Sequence, residues 1–249
     1  MTNTDLPGWL PPHGRTLQLE GGKTRERILS DSYSAVCEGK KPPKELPYVG
    51  RRRRWGDFGD SRDPQGRRAQ DYYQMSHEQE LLHGKAREIV DFLRKYKYTW
   101  EIGPGNYVKT KKILELLGES GGQVIYIVND IAPELEDHVD ELAQLFPAPR
   151  YRIFGLHGSD QAALGFLSSR LTDPCTVLVL GTHFFNKSPD ANKKLAPKWR
   201  SFFVKGHQLL VGQDGHGAEH KSMVEDSYRK FVMPFVWENA RAALHEHSG

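Results

Sequence analysis

The sequence predicts an α/β protein, a doubly wound and mostly parallel sheet with an N-terminal helical extension. Three observations carry this. Apolar stretches of strand length alternate with stretches of helical period from residue 98 to residue 211, the order that puts helices on both faces of a parallel sheet. One of these stretches, Thr176 to Leu180, is apolar almost without a break, as in a strand covered on both sides. A glycine turn, Gly103-Pro104-Gly105, joins the first of these strands to its helix, and such sheets place their ligands at the carboxyl ends of strands.

The elements follow in order. Residues 1–69 are the least core-like part, Pro-rich and charged, around one helix over Thr24–Val36. The run Arg51 to Arg54 reads either as a solvated loop or as a site for a phosphate- or carboxylate-bearing partner, with Asp57, Asp60 and Asp63 neutralising it locally. Asp71–Lys97 is a long helical pattern with Leu81, Leu82, Ile89, Val90, Phe92 and Leu93 on one stripe. Ser76 before Gln79 resembles a capping box, which makes 71–75 the loop entering that helix. The domain carrying the sheet is therefore expected to span 70–249.

Within it, Tyr98–Ile102 is a strand and Lys111–Leu117 a helix with Ile113, Leu114, Leu116 and Leu117 at helical spacing. Val124–Val128 is the second strand and Ala132–Phe146 the next helix. Tyr151–Leu156, Thr176–Leu180 and Gln208–Val211 are further strands, and Ser159–Ser169 and Lys193–Phe203 further helices. Lys221–His245 is helical on average, with Pro234 breaking or kinking it.

Composition narrows the function. The chain has 249 residues, 37% of them apolar, enough for one generous domain or a domain plus an extension. No run approaches the roughly 18 apolar residues of a membrane span. The start, Met1 to Pro7, lacks the profile of a secretory signal. Two cysteines, Cys37 and Cys175, stand far apart and away from metal spacing, which fits a reducing, cytoplasmic setting. A formal charge of +3 is too small to argue a nucleic-acid partner.

The candidate site is read from the first two strands. Glu101 ends the first, Gly103 and Gly105 turn the chain, and Asp130 ends the second. An acid roughly 20–30 residues beyond such glycines accepts hydrogen bonds from a ribose diol, so a nucleoside-containing cofactor is expected. Asn186, after a central strand, reads equally as a turn former or a ligand contact, and Tyr73 as packing or as lining of a cleft. His183 beside that cleft reads as structural. His216 and His220 lie four apart with His207 nearby, but glycines flank them and no cysteine is near, so no metal is expected.

Several stretches also resemble one enzyme family. Glu101-Ile-Gly-Pro-Gly105, Lys109-Thr110 and Tyr126-Ile-Val-Asn-Asp130 are similar to the S-adenosylmethionine-dependent, histidine-specific methyltransferases, which include the ergothioneine-pathway histidine trimethylase and the fungal dimethylallyltryptophan N-methyltransferases. Asp71 to Glu80 is similar to the family's Glu-Tyr-Tyr entrance to a long helix. Leu180 to Asn186 looks like its Leu-Gly-Ser-Thr-Ile-Gly-Asn, and Gly212 to Gly215 like the fungal Gly-Leu-Asp-Gly. The likeness runs collinearly from about residue 24 to residue 243.

The resemblance implies a Rossmann-like fold of the class I methyltransferase type and an N-methyltransferase using S-adenosyl-L-methionine. Its acceptor would be an amino acid or a derived small-molecule amine, in fungal secondary metabolism. It assigns Glu101, Gly103, Gly105, Lys109, Asp130, Ser159 and Asp160 to the cofactor. It assigns Tyr73 and Asn186 to amine positioning in catalysis, and these two with Tyr228 to substrate binding. The aromatic that follows the Ser159-Asp160 position in relatives is missing here, and the arginine run replaces their Tyr-Asp-x-x-Gly-Ser segment. Relatives continue into a second lobe past the equivalent of this C-terminus, so a second copy or a partner subunit is expected to complete the site. Two other readings of the residues remain: an aminoacyl-tRNA-using cyclodipeptide synthase-like transferase, and a non-catalytic cofactor-binding module.

Overall fold

The computed structural model describes residues 7–40, 46, 73–105, 107–119, 121–180, 189–212 and single positions between 222 and 245. Its contacts divide the chain into two units, one of residues 1–22 and 81–213, the other of residues 23–80 and 214–249. This partition differs from a single cut at residue 69, because the N-terminal 22 residues belong with the sheet.

The first unit is a six-stranded sheet of β1 (Arg15–Gln18), β2 (Tyr98–Ile102), β3 (Val124–Asp130), β4 (Tyr151–His157), β5 (Cys175–Val179) and β6 (Gln208–Val211). The strands lie in the order β1-β4-β3-β2-β5-β6, and every pairing is parallel. The chain runs from β2 outward through β3 to β4, then returns to β5 on the other side of β2. That reversal opens a crevice at the carboxyl ends of the central strands.

Alternation along the strands sorts the side chains into two layers. Tyr98, Trp100, Ile102, Ile125 and Ile127 pack with Ala163, Leu164 and Leu167 of α6 (Asp160–Ser168) and with Leu195, Trp199 and Phe202 of α7 (Pro189–Phe203). On the other face Tyr126 and Val128 pack with Ile113, Leu114 and Leu117 of α4 (Val108–Glu119) and with Leu135, Val139 and Leu142 of α5 (Leu135–Leu145). Val90 and Leu93 of α3 (Ala86–Leu93) join the same layer. Aromatic stacking ties the α7 layer down: Trp100 lies 5.6 Å from Trp199, and Phe202 lies 3.8 Å from His207. The His207 Nδ1 accepts the Cys175 N–H at 3.0 Å, so this histidine joins β5 to the chain entering β6.

The second unit holds α1 (Arg25–Cys37), whose Thr24 hydroxyl caps it by accepting the Arg27 N–H at 3.3 Å. Ile28, Leu29 and Leu46 form its small apolar cluster, with Ala240 against them. The expected helix over 71–97 is two helices, α2 (Tyr73–Gly84) and α3, broken after Gly84. Ser76 lies inside α2, so its spacing to Gln79 marks no helix start, and Tyr73 opens the helix where a loop was expected. The described positions of the 221–245 stretch are helical.

Truncating Phe202 removes a fully buried ring that touches Trp100, Trp199, Phe203 and His207. Phe202→Ala is expected to cost about 3–5 kcal/mol in urea unfolding; a loss of less than about 1 kcal/mol would show that the layer repacks freely.

Candidate functional site

At the carboxyl end of β2 the chain leaves the sheet through two residues in the left-handed region, Gly103 (φ 62°) and Gly105 (φ 71°). A side chain at either would be strained, which is why glycines stand there. Tyr107 adopts φ 57° without that freedom, at roughly 1–2 kcal/mol, and its ring is buried 4.1 Å from His138. The Gly103 N–H donates to the Asn129 carbonyl at 2.8 Å, so the turn is fastened to the end of the neighbouring strand.

Beneath the turn lies Glu101, fully buried on the α4 side of β2. Its Oε2 accepts from the Thr110 hydroxyl at 2.8 Å and from the Tyr126 hydroxyl at 2.9 Å. Its Oε1 is equally buried and finds no donor among the described residues. Burial pushes the carboxyl up to about 7. The Thr110 and Tyr126 bonds and the Lys109 charge oppose that rise, and Asp130 adds to it. Burial also drives the phenols of Tyr107 and Tyr126 well above their usual value, so both stay neutral. The second carboxylate, Asp130, stands partly exposed where β3 ends, its Oδ1 accepting the Ala132 N–H at 3.0 Å.

One strand further out, Gly158 donates its N–H to the Asp130 carbonyl at 2.9 Å. The Asn129 side chain, buried, donates to the carbonyls of Leu156 and Gly158 at 2.8 and 3.0 Å. Ser159 is the N-cap of α6: its Oγ accepts the Ala162 N–H at 3.1 Å and also reaches the Glu20 carbonyl. Asp160 opens the helix and accepts the Gln161 N–H at 3.0 Å.

The structure thus gathers Glu101, Gly103, Gly105 and Asp130 at adjoining strand ends. Lys109 stands in the first turn of α4, with Ser159 and Asp160 at the end of β4. The Tyr73 side chain, Asn106, His183, Asn186, His216, His220 and Tyr228 lie outside the described residues, as does the arginine run. A separate hollow of about 250 Å³, lined by Arg94, Lys97, Thr99 and Gln123 among others, opens at the opposite ends of β2 and β3 and has no part in this site. Thr110, Tyr126, Tyr107, Asn129 and His157 received no role from the sequence. Thr110, Tyr126 and Asn129 stand inside the motifs that carry the resemblance, and Tyr126 also shares the face of Glu101 when β2 and β3 are set in parallel register.

The residues fit a cofactor carrying both a positive charge and a ribose. A buried carboxylate oxygen without a donor calls for a cation or a donor. Positive-φ glycines let a ligand approach the backbone, and an acid at the next strand end suits a diol.

The raised carboxyl has a consequence for stability. In the unfolded chain Glu101 ionises near 4.5, in the folded protein near 7. Between those values the unfolded state has released a proton that the folded state keeps, so this group's contribution falls as pH rises through the window and levels off above it. Glu101→Gln carries no such proton. Its melting temperature relative to the parent is expected to climb by a few degrees between pH 4.5 and pH 7; a difference that stays flat with pH would contradict the buried, protonated carboxyl.

Residues 65–232 match the model of the histidine-specific, S-adenosylmethionine-dependent methyltransferases. The chain is 29% identical over 212 residues to the N-methyltransferase imqF of Aspergillus flavus, covering 82% of this chain and 56% of that protein. It is 28% identical over 252 residues to the N-methyltransferase fsqC of Aspergillus fumigatus, covering 92% of this chain and 67% of that protein. The chain therefore spans little more than half of the first relative's length and about two thirds of the second's. With the glycine turn, the buried Glu101 and the partly exposed Asp130 all inside a match over well more than half of its length, the chain belongs to the histidine-specific, S-adenosylmethionine-dependent methyltransferase family.

Proposed function

We propose that this protein transfers a methyl group from S-adenosylmethionine to the nitrogen of an amino acid or an amino-acid-derived small molecule, in fungal secondary metabolism. The observation that carries the reading is the pairing of Glu101, one of whose oxygens has no donor among the described residues, and Asp130 at adjacent strand ends bridged by the Gly103 N–H. The printed names of both relatives, N-methyltransferases of Aspergillus species, support the reaction type.

The cofactor supplies an electrophilic methyl group on a sulfonium. The residues have the remaining work. Glu101 Oε1 would accept from the ammonium of the methionyl tail. Lys109 and the first amides of α4 suit the tail's carboxylate, and Asp130 accepts from the ribose hydroxyls. The acceptor amine must be neutral when it attacks, and alignment of the reacting groups is worth roughly 7–11 kcal/mol. Tyr73, Asn186 and Tyr228 are proposed to hold that amine, Asn186 as both donor and acceptor.

Calorimetry with S-adenosylmethionine tests the cofactor half. Asp130→Ala is expected to weaken binding about 10- to 100-fold, the loss of hydrogen bonds to a charged group. A labelled-methyl assay over a panel of amino acids tests the acceptor half, and Asn186→Ala is expected to lower kcat/KM at least about tenfold. Absence of cofactor binding by the parent at millimolar concentration would refute the reading, and binding without transfer to any amine would leave only a cofactor-binding module.

A further inference from the structure

Residues 1–69 read as an extension in the sequence, yet β1 and the turn after it are built into the ligand end of the sheet. β1 pairs in parallel beyond β4, Gln18 in register with His157. Its end therefore reaches the same rim as the ends of β4, β3 and β2. A nucleoside whose tail meets Glu101 on β2 and whose ribose meets Asp130 on β3 carries its base about 5 Å further, over the end of β4. The backbone of Ile131 and Gly158 waits there.

The segment after β1 is packed onto that backbone. Leu19 donates its N–H to the His157 carbonyl at 2.8 Å, and Ser159 donates its N–H to the Glu20 carbonyl at 3.1 Å. The fit requires glycine on both sides. A Cβ on Gly158 would lie 2.7 Å from the Leu19 Cβ and 2.8 Å from the Glu20 carbonyl oxygen; one on Gly22 would strike the Gln18 amide and lie 2.8 Å from the His157 carbonyl oxygen. A single ring links the layers: His157 Nδ1 meets Gln18 Oε1 at 2.8 Å, and its Nε2 meets the Ile131 carbonyl at 3.2 Å. Ile131 directly follows Asp130 in the chain.

We propose that residues 18–22 form a wall of the cofactor site, with Gln18, acting through His157, a positioning residue for the Ile131 and Gly158 backbone that receives a purine ring. This rests on the cofactor reading above. No role was assigned to Gln18, Gly22 or His157 by sequence.

Titration of the full chain with S-adenosylhomocysteine and with adenosine, which lacks the amino-acid tail, tests it. Gln18→Ala and Gly22→Ala are expected to raise Kd for both ligands by a common factor, on the order of tenfold. Glu101→Gln should weaken only the ligand with the tail. A purely structural role would lower the melting temperature of the Gln18 and Gly22 variants and leave both Kd values in place. Hydrogen–deuterium exchange on the parent needs no variant: saturating S-adenosylhomocysteine should slow exchange in residues 17–22 as well as 157–160. Unchanged exchange at 17–22, or folded variants with Kd within about twofold of the parent, would overturn the wall and leave the cofactor reading standing. A parent that binds neither ligand would remove both.

Discussion

One carboxyl group, buried beside the helix that follows β2 and bonded among the described residues on only one of its two oxygens, sets the terms for this site. Thr110 and Tyr126 spend their hydroxyls on Glu101 Oε2, and both donors are themselves buried. Two buried donors therefore hold the carboxyl in place through Oε2. An unpaired charge so placed is expensive, and the protein meets part of that cost by holding the proton. Tyr107, buried with a left-handed backbone, carries a local strain of the kind that persists where the surroundings enforce it.

The strand ends present different groups along one rim: β2 a buried acid and a turn of positive-φ glycines, β3 a partly exposed acid, β4 a backbone edge, and β1 the segment packed behind that edge. Each is about one strand spacing from the last, a span along the rim that suits the proposed nucleoside. Asn129 stiffens the arrangement by tying the end of β3 to the Leu156 carbonyl in β4 and the Gly158 carbonyl just past it. The α7 side contributes rigidity of another kind, through the Trp100, Trp199 and Phe202 rings packed under β2.

Much of this was legible in the sequence. The order of strands and helices from residue 98, the glycine turn and the two acids follow from periodicity and turn chemistry, because central strands and amphipathic helices leave strong patterns. β1 left none: Arg-Thr-Leu-Gln is four residues with no fully buried position, and it is held by pairing with β4, a partner more than a hundred residues away. The split after Gly84 had a signal in that glycine, outweighed by an apolar stripe continuing on both sides. For Ser159 resemblance gave a place beside the cofactor, and the structure adds that its hydroxyl caps α6, as a serine at a helix start does. The partners of Glu101 depend on strand register and helix placement, which no local pattern encodes.

The most direct measurement is the count of protons exchanged when S-adenosylmethionine binds. Titration calorimetry near pH 6.5 in two buffers of different ionisation enthalpy gives that count. If the ammonium docks on Glu101 Oε1, the carboxyl must ionise, and about one proton should be released, with release absent in Glu101→Gln. Cofactor binding with no proton release in the parent, or with undiminished release in the glutamine variant, would contradict the role given to this acid.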